Sequence, residues 1–130
     1  MTVFTATITA QAVDIDELGH VNNAVWVQWV ERVATTHWRT AGDPAHVEAY
    51  VWVITRHEID YLKPLLEGQT VTARTWAEGP PKGARSVRLM EFVAPDGAVH
   101  VRSRTEWAML EQATGRLMRV RRDVIAPFLA

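Results

Sequence analysis

A single long helical pattern set among strand-like segments is the feature that most restricts the fold of this chain of 130 residues. From about Asn22 to Ala41, apolar residues recur three and four positions apart, while charged and amide side chains occupy the opposite side. Gly42 ends the pattern, and Asp43-Pro44 is expected to turn the chain. The apolar stripe comprises Val27, Val30, Ala34, Trp38 and Ala41, widened by Trp26 and Val33. We therefore expect a helix with one face buried against another layer.

Most of the remaining chain shows the two-residue alternation of strands, interrupted by turn-forming residues. Thr2 to Val13 places apolar side chains on one face and Thr or Gln on the other. Four more strand-like segments follow the helix: Tyr50 to Leu62, Gln69 to Glu78, Ala84 to Val93 and Val99 to Gln112. Pro95-Asp96-Gly97 is a strong hairpin signal. We expect Arg116 to Val120 to add a short final strand, and Asp123 to Leu129 to form a terminal turn or helix.

One apolar helix with five or six strands, mostly joined by short turns, predicts an α+β domain. We expect an antiparallel sheet that covers one side of the helix, with residues 1–130 forming one domain. Apolar residues make up 48% of the chain, which is enough for a core and argues against disorder.

The composition excludes several classes of function. A formal net charge of -1 provides no global field that would attract nucleic acid or an anionic membrane. The absence of cysteine excludes a Cys nucleophile, a thiolate metal site and a disulfide framework, and it is compatible with the cytoplasmic location that we expect. Met1 to Val13 lacks a continuous apolar signal-peptide core, and no apolar run is long enough to span a bilayer. The histidines lack ligand spacing, so no metal site is expected.

The loop before the helix carries the residues best suited to chemistry. Asn22 or Asn23 is a good N-cap, and the helix start offers backbone N–H donors and a partial positive charge. The candidate donors are the amides of Val21, Asn22 and Asn23, and Asp16 lies just upstream of them. An acid beside such donors suits hydrolysis of an acyl compound, because the donors hold the carbonyl oxygen while the carboxylate attacks the carbon or activates water.

Each of these residues also has a structural interpretation. A loop aspartate such as Asp16 commonly forms an Asx turn, and Asp14 is either a supporting or a solvated charge. The amides commonly serve only to cap the helix, although capping and substrate binding require the same geometry. Asn22 is the better choice for fixing the turn with its side chain, and Asn23 is the one that we expect to face an acyl pocket.

The same loop resembles the signature of a known family. Asp16 followed by Gly19-His20-Val21-Asn22-Asn23, with Trp26 and Glu31 downstream, is similar to the hotdog-fold acyl-CoA thioesterases of the 4-hydroxybenzoyl-CoA thioesterase family. Plant acyl-ACP thioesterases carry a related His-Val-Asn-Asn motif. The resemblance continues through Arg56 to Leu65, Val71 to Trp76 and Trp107 to Arg119. It covers most of the chain.

The resemblance implies a hotdog fold, in which one long central helix is wrapped by a five- to six-stranded antiparallel sheet. It further implies a homodimer or homotetramer with the active site at the dimer interface, an acyl-CoA substrate and no cofactor. The family's catalytic carboxylate corresponds to Asp16, as general base or nucleophile. His20 is then an auxiliary polar contact or a structural loop residue, and Trp26 and Val25 would line the acyl pocket.

Glu31 lies on the polar side of the predicted helix. It is either a solvated helix charge or a second carboxylate near a site that two subunits share. Glu58 has the same two interpretations.

Basic residues follow the turn of Gly79 to Gly83 and offer a rim for the phosphates of coenzyme A. Lys82 and Arg85 are the leading candidates, although surface arginines are usually only solvated. Weaker candidates on this and the neighbouring strand are Arg88, His100, Arg102 and Arg104.

We therefore predict a thioesterase that hydrolyses an acyl-CoA, or alternatively an acyl-carrier-protein thioester, to the free acid. A hydratase or dehydratase on the same fold would pair His20 with Glu31, but the chain lacks the Pro-Gly-containing signature of those enzymes after the histidine. A non-catalytic acyl-CoA or acyl-carrier-protein binding protein is the remaining alternative, and the presence of Asp16 argues against it.

Overall fold

A five-stranded antiparallel sheet and one long helix form the frame of the protein in the computed structural model, which describes residues 2–129. The elements in chain order are β1 (Phe4–Thr9), a 3-10 turn (Ala12–Asp14), α1 (Asn23–Ala41), α2 (Pro44–Ala49), β2 (Tyr50–Tyr61), β3 (Thr70–Ala77), β4 (Arg85–Val93), β5 (Val99–Glu111) and α3 (Arg122–Leu129). The predicted α+β class, the long helix and the antiparallel sheet are confirmed.

The strand order of the sheet is β1-β3-β4-β5-β2, so β1 and β2 form its two edges. β2 has 12 residues and pairs with β5 from Tyr50 opposite Glu111 to Tyr61 opposite Val101. The register shifts between Ile54 and Arg56, where β2 bulges. The free side of this long edge strand carries unpaired backbone groups that favour pairing with another chain.

Helix α1 buries its apolar face against one face of the sheet. Its buried residues are Trp26, Trp29, Val30, Val33, Ala34 and His37. The predicted stripe is therefore displaced, because Trp29 and His37 are 3% and 1% exposed, whereas Val27 is only partly buried. Trp26 makes edge contacts with Trp29 and Phe92, with ring centroids 4.9 and 5.1 Å apart. These contacts fix the first two turns of α1 on the sheet.

Two short segments differ from their predictions. Asp43-Pro44 begins a helix as well as a turn: Asp43 Oδ1 accepts from the Ala45 amide at 2.8 Å, and Pro44 occupies the first helical position. The predicted strand from Arg116 to Val120 is wrong, since it makes only an isolated bridge between Leu117 and Leu110. The Met118 amide donates to Met109 O of β5, but the Val120 amide donates to Gly83 O, outside β5, so no continuous ladder forms.

The terminal segments differ from their predictions in opposite ways, since the first strand is shorter than predicted and the last helix begins one residue earlier. β1 ends at Thr9 instead of Val13, because the chain enters the 3-10 turn at Ala12. Asp123 to Leu129 is helical, as one of the two predicted alternatives, within α3. No helix among residues 2–129 is long and apolar enough to cross a membrane.

Candidate active site

A closed turn between the 3-10 segment and α1 places Asp16 beside the start of the helix. Ile15 and Val21 form an antiparallel bridge, and the Asp16 amide donates to His20 O at 2.9 Å. The Gly19 amide donates back to Asp16 O at 3.0 Å, with Gly19 at a φ of 82°, a conformation that favours glycine. The spacing of Asp16 and Gly19-His20 is thus what this turn requires.

The Asp16 carboxylate is partly buried and only half used by the protein. Oδ1 accepts from the Leu18 amide at 2.9 Å, which is the Asx turn expected for a loop aspartate. Oδ2 accepts no hydrogen bond from residues 2–129. Asp14 is engaged differently, because its Oδ2 accepts from the Gln11 amide at 2.8 Å and closes the 3-10 turn. Asp14 and Asp16 thus each use one carboxylate oxygen in a local turn and leave the other without a partner among residues 2–129, and Asp16 is the one closer in sequence to the start of α1.

The backbone donors predicted at the helix start are reduced to one. The Val21 amide donates to Leu65 O and the Asn22 amide donates to Asp14 O, each at 2.9 Å. Both donors are consumed in holding the loop, so their prediction as substrate donors is corrected. The Asn23 amide, at the first position of α1, meets no acceptor among residues 2–129. It is the donor that remains for a substrate oxygen.

The side chain of Asn22 caps α1, as predicted, with Oδ1 accepting from the Ala24 amide at 2.8 Å. The Tyr61 hydroxyl donates to Asn23 O at 3.2 Å and ties the end of β2 to this helix start. The side chains of Asn22 and Asn23 are exposed, and His20 is partly buried. The His20 ring makes no hydrogen bond or ion pair with residues 2–129, so its predicted auxiliary role stays a prediction.

The predicted acyl-pocket role of Trp26 is not supported by its position. Trp26 is 2% exposed and packs within the core, where Val25 is a partly buried neighbour. A side chain so enclosed contributes to helix packing and does not line an open pocket. The apolar stripe that sequence assigned to the substrate is thus mainly the face that docks α1 on the sheet.

Glu31 lies exposed on α1, on the side near His57 of β2. Burial lowers the pKa of His57, and the Glu31 charge acts in the opposite direction. His57 Nδ1 bonds Thr105 Oγ1 at 2.8 Å, while its buried Nε2 has no partner among residues 2–129.

Eight residues of helix, about 12 Å, separate Asn23 from Glu31. Within one chain, a pairing of Glu31 with His20 in the preceding loop, as a hydratase would need, has no support.

The predicted basic rim does not converge. Its outward-facing arginines pair with carboxylates: Arg85 with Glu106 at 2.9 Å, Arg102 with Glu91 at 3.3 Å and Arg104 with Glu78 at 2.7 Å. Lys82 is exposed and makes no ion pair with residues 2–129. Two weaker candidates for this rim face inward: His100 is 4% exposed, and Arg88 bonds the buried His37. Of the two leading candidates, Lys82 thus makes no ion pair with residues 2–129, whereas Arg85 is paired with Glu106.

Sequence reasoning missed the inward position of Arg88 and His57. The signal for Arg88 was its alternation with Met90 and Phe92, which share the core face of β4. His57 had no comparable signal, because the bulge between Ile54 and Arg56 changes which residues of β2 face inward.

Comparison with protein families agrees with this arrangement. A model of the thioesterase-like superfamily matches residues 11–128. The chain belongs to this superfamily. As a member it is a thioester hydrolase, and the resemblance seen in the loop motif is confirmed at this level. A comparison with curated proteins finds no match.

Solved structures share the fold. A hypothetical protein from Staphylococcus aureus in complex with CoA has a TM-score of 0.86 at 18% identity, covering 97% of this chain and 81% of that one. DHNA-CoA thioesterase from the same organism has a TM-score of 0.80 at 20% identity, covering 92% and 81%. A predicted thioesterase from Bacillus stearothermophilus has a TM-score of 0.84 at 25% identity, covering 98% and 94%. The fold of this thioesterase is the hotdog fold.

Proposed function

We propose that this thioesterase hydrolyses acyl-CoA to a free carboxylic acid and coenzyme A at the loop that joins Asp16 to α1. The observation that carries the proposal is that this loop leaves one carboxylate oxygen, Oδ2 of Asp16, and one helix amide, that of Asn23, without a partner among residues 2–129. They flank a tight turn in which the amides of Asp16, Leu18, Gly19, Val21 and Asn22 are hydrogen-bonded. The free carboxylate and donor are the two parts that acyl transfer requires.

The Asn23 amide and the positive end of α1 would stabilise the oxygen of the thioester as negative charge develops on it. Asp16 would remove a proton from the attacking water, or would attack the carbonyl carbon and form an anhydride that water then cleaves. In either route the C–S bond breaks, the sulfur leaves as the coenzyme A thiol, and water supplies the hydroxyl of the acid. No cofactor enters these steps.

Coenzyme A is the proposed carrier, with Lys82 and Arg85 as its phosphate contacts. The structural neighbour from Staphylococcus aureus, a hypothetical protein in complex with CoA, supports CoA as the carrier. Lys82 is free to meet a phosphate, whereas Arg85 would have to share its guanidinium between the phosphate and Glu106. An acyl-carrier-protein thioester would use the same Asp16 chemistry with fewer phosphate contacts.

We also propose that the active assembly is a homodimer or homotetramer. The free edge of β2 is long, and it carries exposed Val51 and Val53, at 38% and 41%. Pairing of this edge with a second copy would cover its apolar side chains and satisfy its backbone groups. Glu31 and His20 would then lie near a site that two subunits form together. There, His20 would be an auxiliary polar contact and Glu31 a second carboxylate.

The test is a panel of short-chain, long-chain and aromatic acyl-CoAs assayed for release of free thiol. A hydrolase releases thiol from at least one class of substrate. Binding of acyl-CoA without thiol release across the panel would instead identify a binding protein. Loss of enoyl absorbance without thiol release would identify a hydratase.

A further inference from the structure

A cavity of about 280 Å³ lies at the end of α1 opposite to Asp16. It is bounded by the second half of α1 and by parts of α2, β2, β3, β4, β5 and α3. Ala34 is the first α1 residue of the lining, eleven residues after Asn23, which corresponds to about 16 Å along the helix. The cavity is therefore separate from the proposed hydrolytic site of the same chain.

The wall of this cavity is strongly aromatic. The aromatic lining residues are Trp38, Tyr50, Trp52, Trp107 and Phe128. Trp38 contacts Trp52 edge to face and stacks on Phe128, with ring centroids 5.6 and 5.5 Å apart. An apolar cavity of roughly 150 Å³ is enough to hold benzene, so the space here accommodates one aromatic ring with a short substituent.

Arg88 brings a positive charge into this aromatic wall without a carboxylate to balance it. Its Nη1 donates to His37 Nδ1 at 2.9 Å and to Thr75 Oγ1 at 3.1 Å, both neutral acceptors. No carboxylate among residues 2–129 lies within ion-pair distance of Arg88. Burial lowers the pKa of Arg88 to about 10, so the guanidinium remains charged at neutral pH. A cation held this way is costly unless an anion joins it.

Arg88 lines the cavity, and two of its nitrogens are left for a ligand. Nε and Nη2 bond no residue in 2–129, yet neither is among the buried polar atoms without a partner, so both retain accessible surface. The charged residues that line the cavity are Arg39 and Arg88, and its described lining contains no Asp or Glu. The guanidinium edge that presents two N–H groups side by side matches the two oxygens of a carboxylate.

We propose that this cavity binds a small aryl carboxylate, with the ring among the tryptophans and the carboxylate on Nε and Nη2 of Arg88. The ligand is held by charge at one end and by ring contacts at the other. Thr75 and His37 hold the guanidinium in place, because both accept from Nη1 and leave the other edge free. Within one chain, the residues of this site do not include Asp16.

The test compares phenylacetate with phenylacetamide, which has the same shape and no charge, by isothermal titration calorimetry on the full chain. We expect phenylacetate to bind at least about tenfold more tightly than phenylacetamide, since hydrogen bonds to a charged group exceed neutral ones. Arg88→Gln should lower the affinity for phenylacetate by about tenfold or more and leave phenylacetamide nearly unchanged. Arg74→Gln, an exposed arginine on β3, is the matched control and should bind as wild type.

Asp16→Asn should also bind phenylacetate as wild type, which separates this site from the hydrolytic one. If Arg88→Gln fails to fold, the acid and amide comparison on the wild-type protein still decides the matter. Equal affinity for acid and amide, or no binding of phenylacetate at millimolar concentration, would overturn the proposal. Loss of binding in Asp16→Asn would also overturn it, by placing the acid at the hydrolytic site.

Discussion

Nη1 of Arg88 donates a hydrogen bond to Nδ1 of His37 at 2.9 Å, and His37 is only 1% exposed. Arginine can only donate, so Nδ1 of His37 must be the acceptor and the ring must be neutral. The ring also stacks on Phe4 and contacts Phe128 edge to face, with centroids 4.7 and 4.9 Å away. This pair joins α1 to β4 and opposes protonation of the histidine.

The first prediction is that this histidine destabilises the protein in mild acid. Burial, and then the Arg88 charge, lower the pKa of His37 from 6.5 to about 4. Above pH 6.5 the folded and unfolded states are both neutral at this site. As the pH falls toward 4, the unfolded chain binds a proton that the folded chain cannot, so stability decreases. The full effect is about 3 kcal/mol, at roughly 1.4 kcal/mol per pKa unit.

Urea denaturation of wild type and His37→Gln at pH 7.5 and pH 4.5 measures this effect. Gln keeps an acceptor for Arg88 but does not titrate. The variant should lose about 2–3 kcal/mol less than wild type between the two pH values, as the linkage relation requires. Equal losses in the two proteins would show that His37 is not held neutral.

The second prediction uses the free amide at the first position of α1. Asn23→Pro removes the N–H but suits this position, because proline is favoured there and Asn22 already has an extended conformation, with φ -60° and ψ 139°. We expect kcat to fall about 10²–10³-fold, the usual loss for one oxyanion donor. Asn23→Ala keeps the amide and is the matched control. Similar kcat values for the two variants would remove the Asn23 amide from the mechanism.

The fold was predictable from the sequence wherever the pattern was regular. The period of α1 and the turns between strands indicated an α+β protein, but Trp29 and His37 were missed on the buried face. His37 was missed because His is usually counted as polar. The positions of strand residues depend on register and bulges, which no local pattern contains. The bulge between Ile54 and Arg56 explains why His57 faces inward, a position that the alternation in the sequence did not predict.

The candidate site was predictable only in part, because sequence shows which donors exist but not which are already used. Asp16 and the Asn22 cap followed from the loop motif. The loss of the Val21 and Asn22 amides follows from bonds to Leu65 and Asp14, one of which comes from a distant part of the chain. Such long-range partners decide which helix amide stays free.

The third prediction concerns coenzyme A recognition. Lys82→Ala and Arg85→Ala should each raise KM for acyl-CoA roughly two- to fivefold, the scale of about 0.5–1 kcal/mol for an exposed ion pair. kcat should be nearly unchanged, since phosphates far from the carbonyl are held alike in ground and transition states. The effect should shrink with acyl-pantetheine and at high salt. An unchanged KM for the double variant at low salt would show that both residues are only solvated.

The fourth prediction concerns assembly through β2. Light scattering of the wild-type protein at micromolar concentration should give a dimer or tetramer. Val53→Lys places a charge on the exposed edge and should shift the protein toward monomer, with loss of activity. Val3→Lys is the control, since Val3 has the same 41% exposure but lies outside β2. A fully active wild-type monomer would exclude a site shared between subunits.

The central claim is that Asp16 performs the hydrolysis, and the most direct measurement is thiol release by Asp16→Asn. Asn preserves the shape and the contact with the Leu18 amide but removes the base or nucleophile. Turnover of the best acyl-CoA should fall at least about 10²-fold while thermal stability is nearly retained. Glu17→Gln removes an exposed carboxylate from the same loop and should keep wild-type turnover. Wild-type rates in Asp16→Asn would contradict the account.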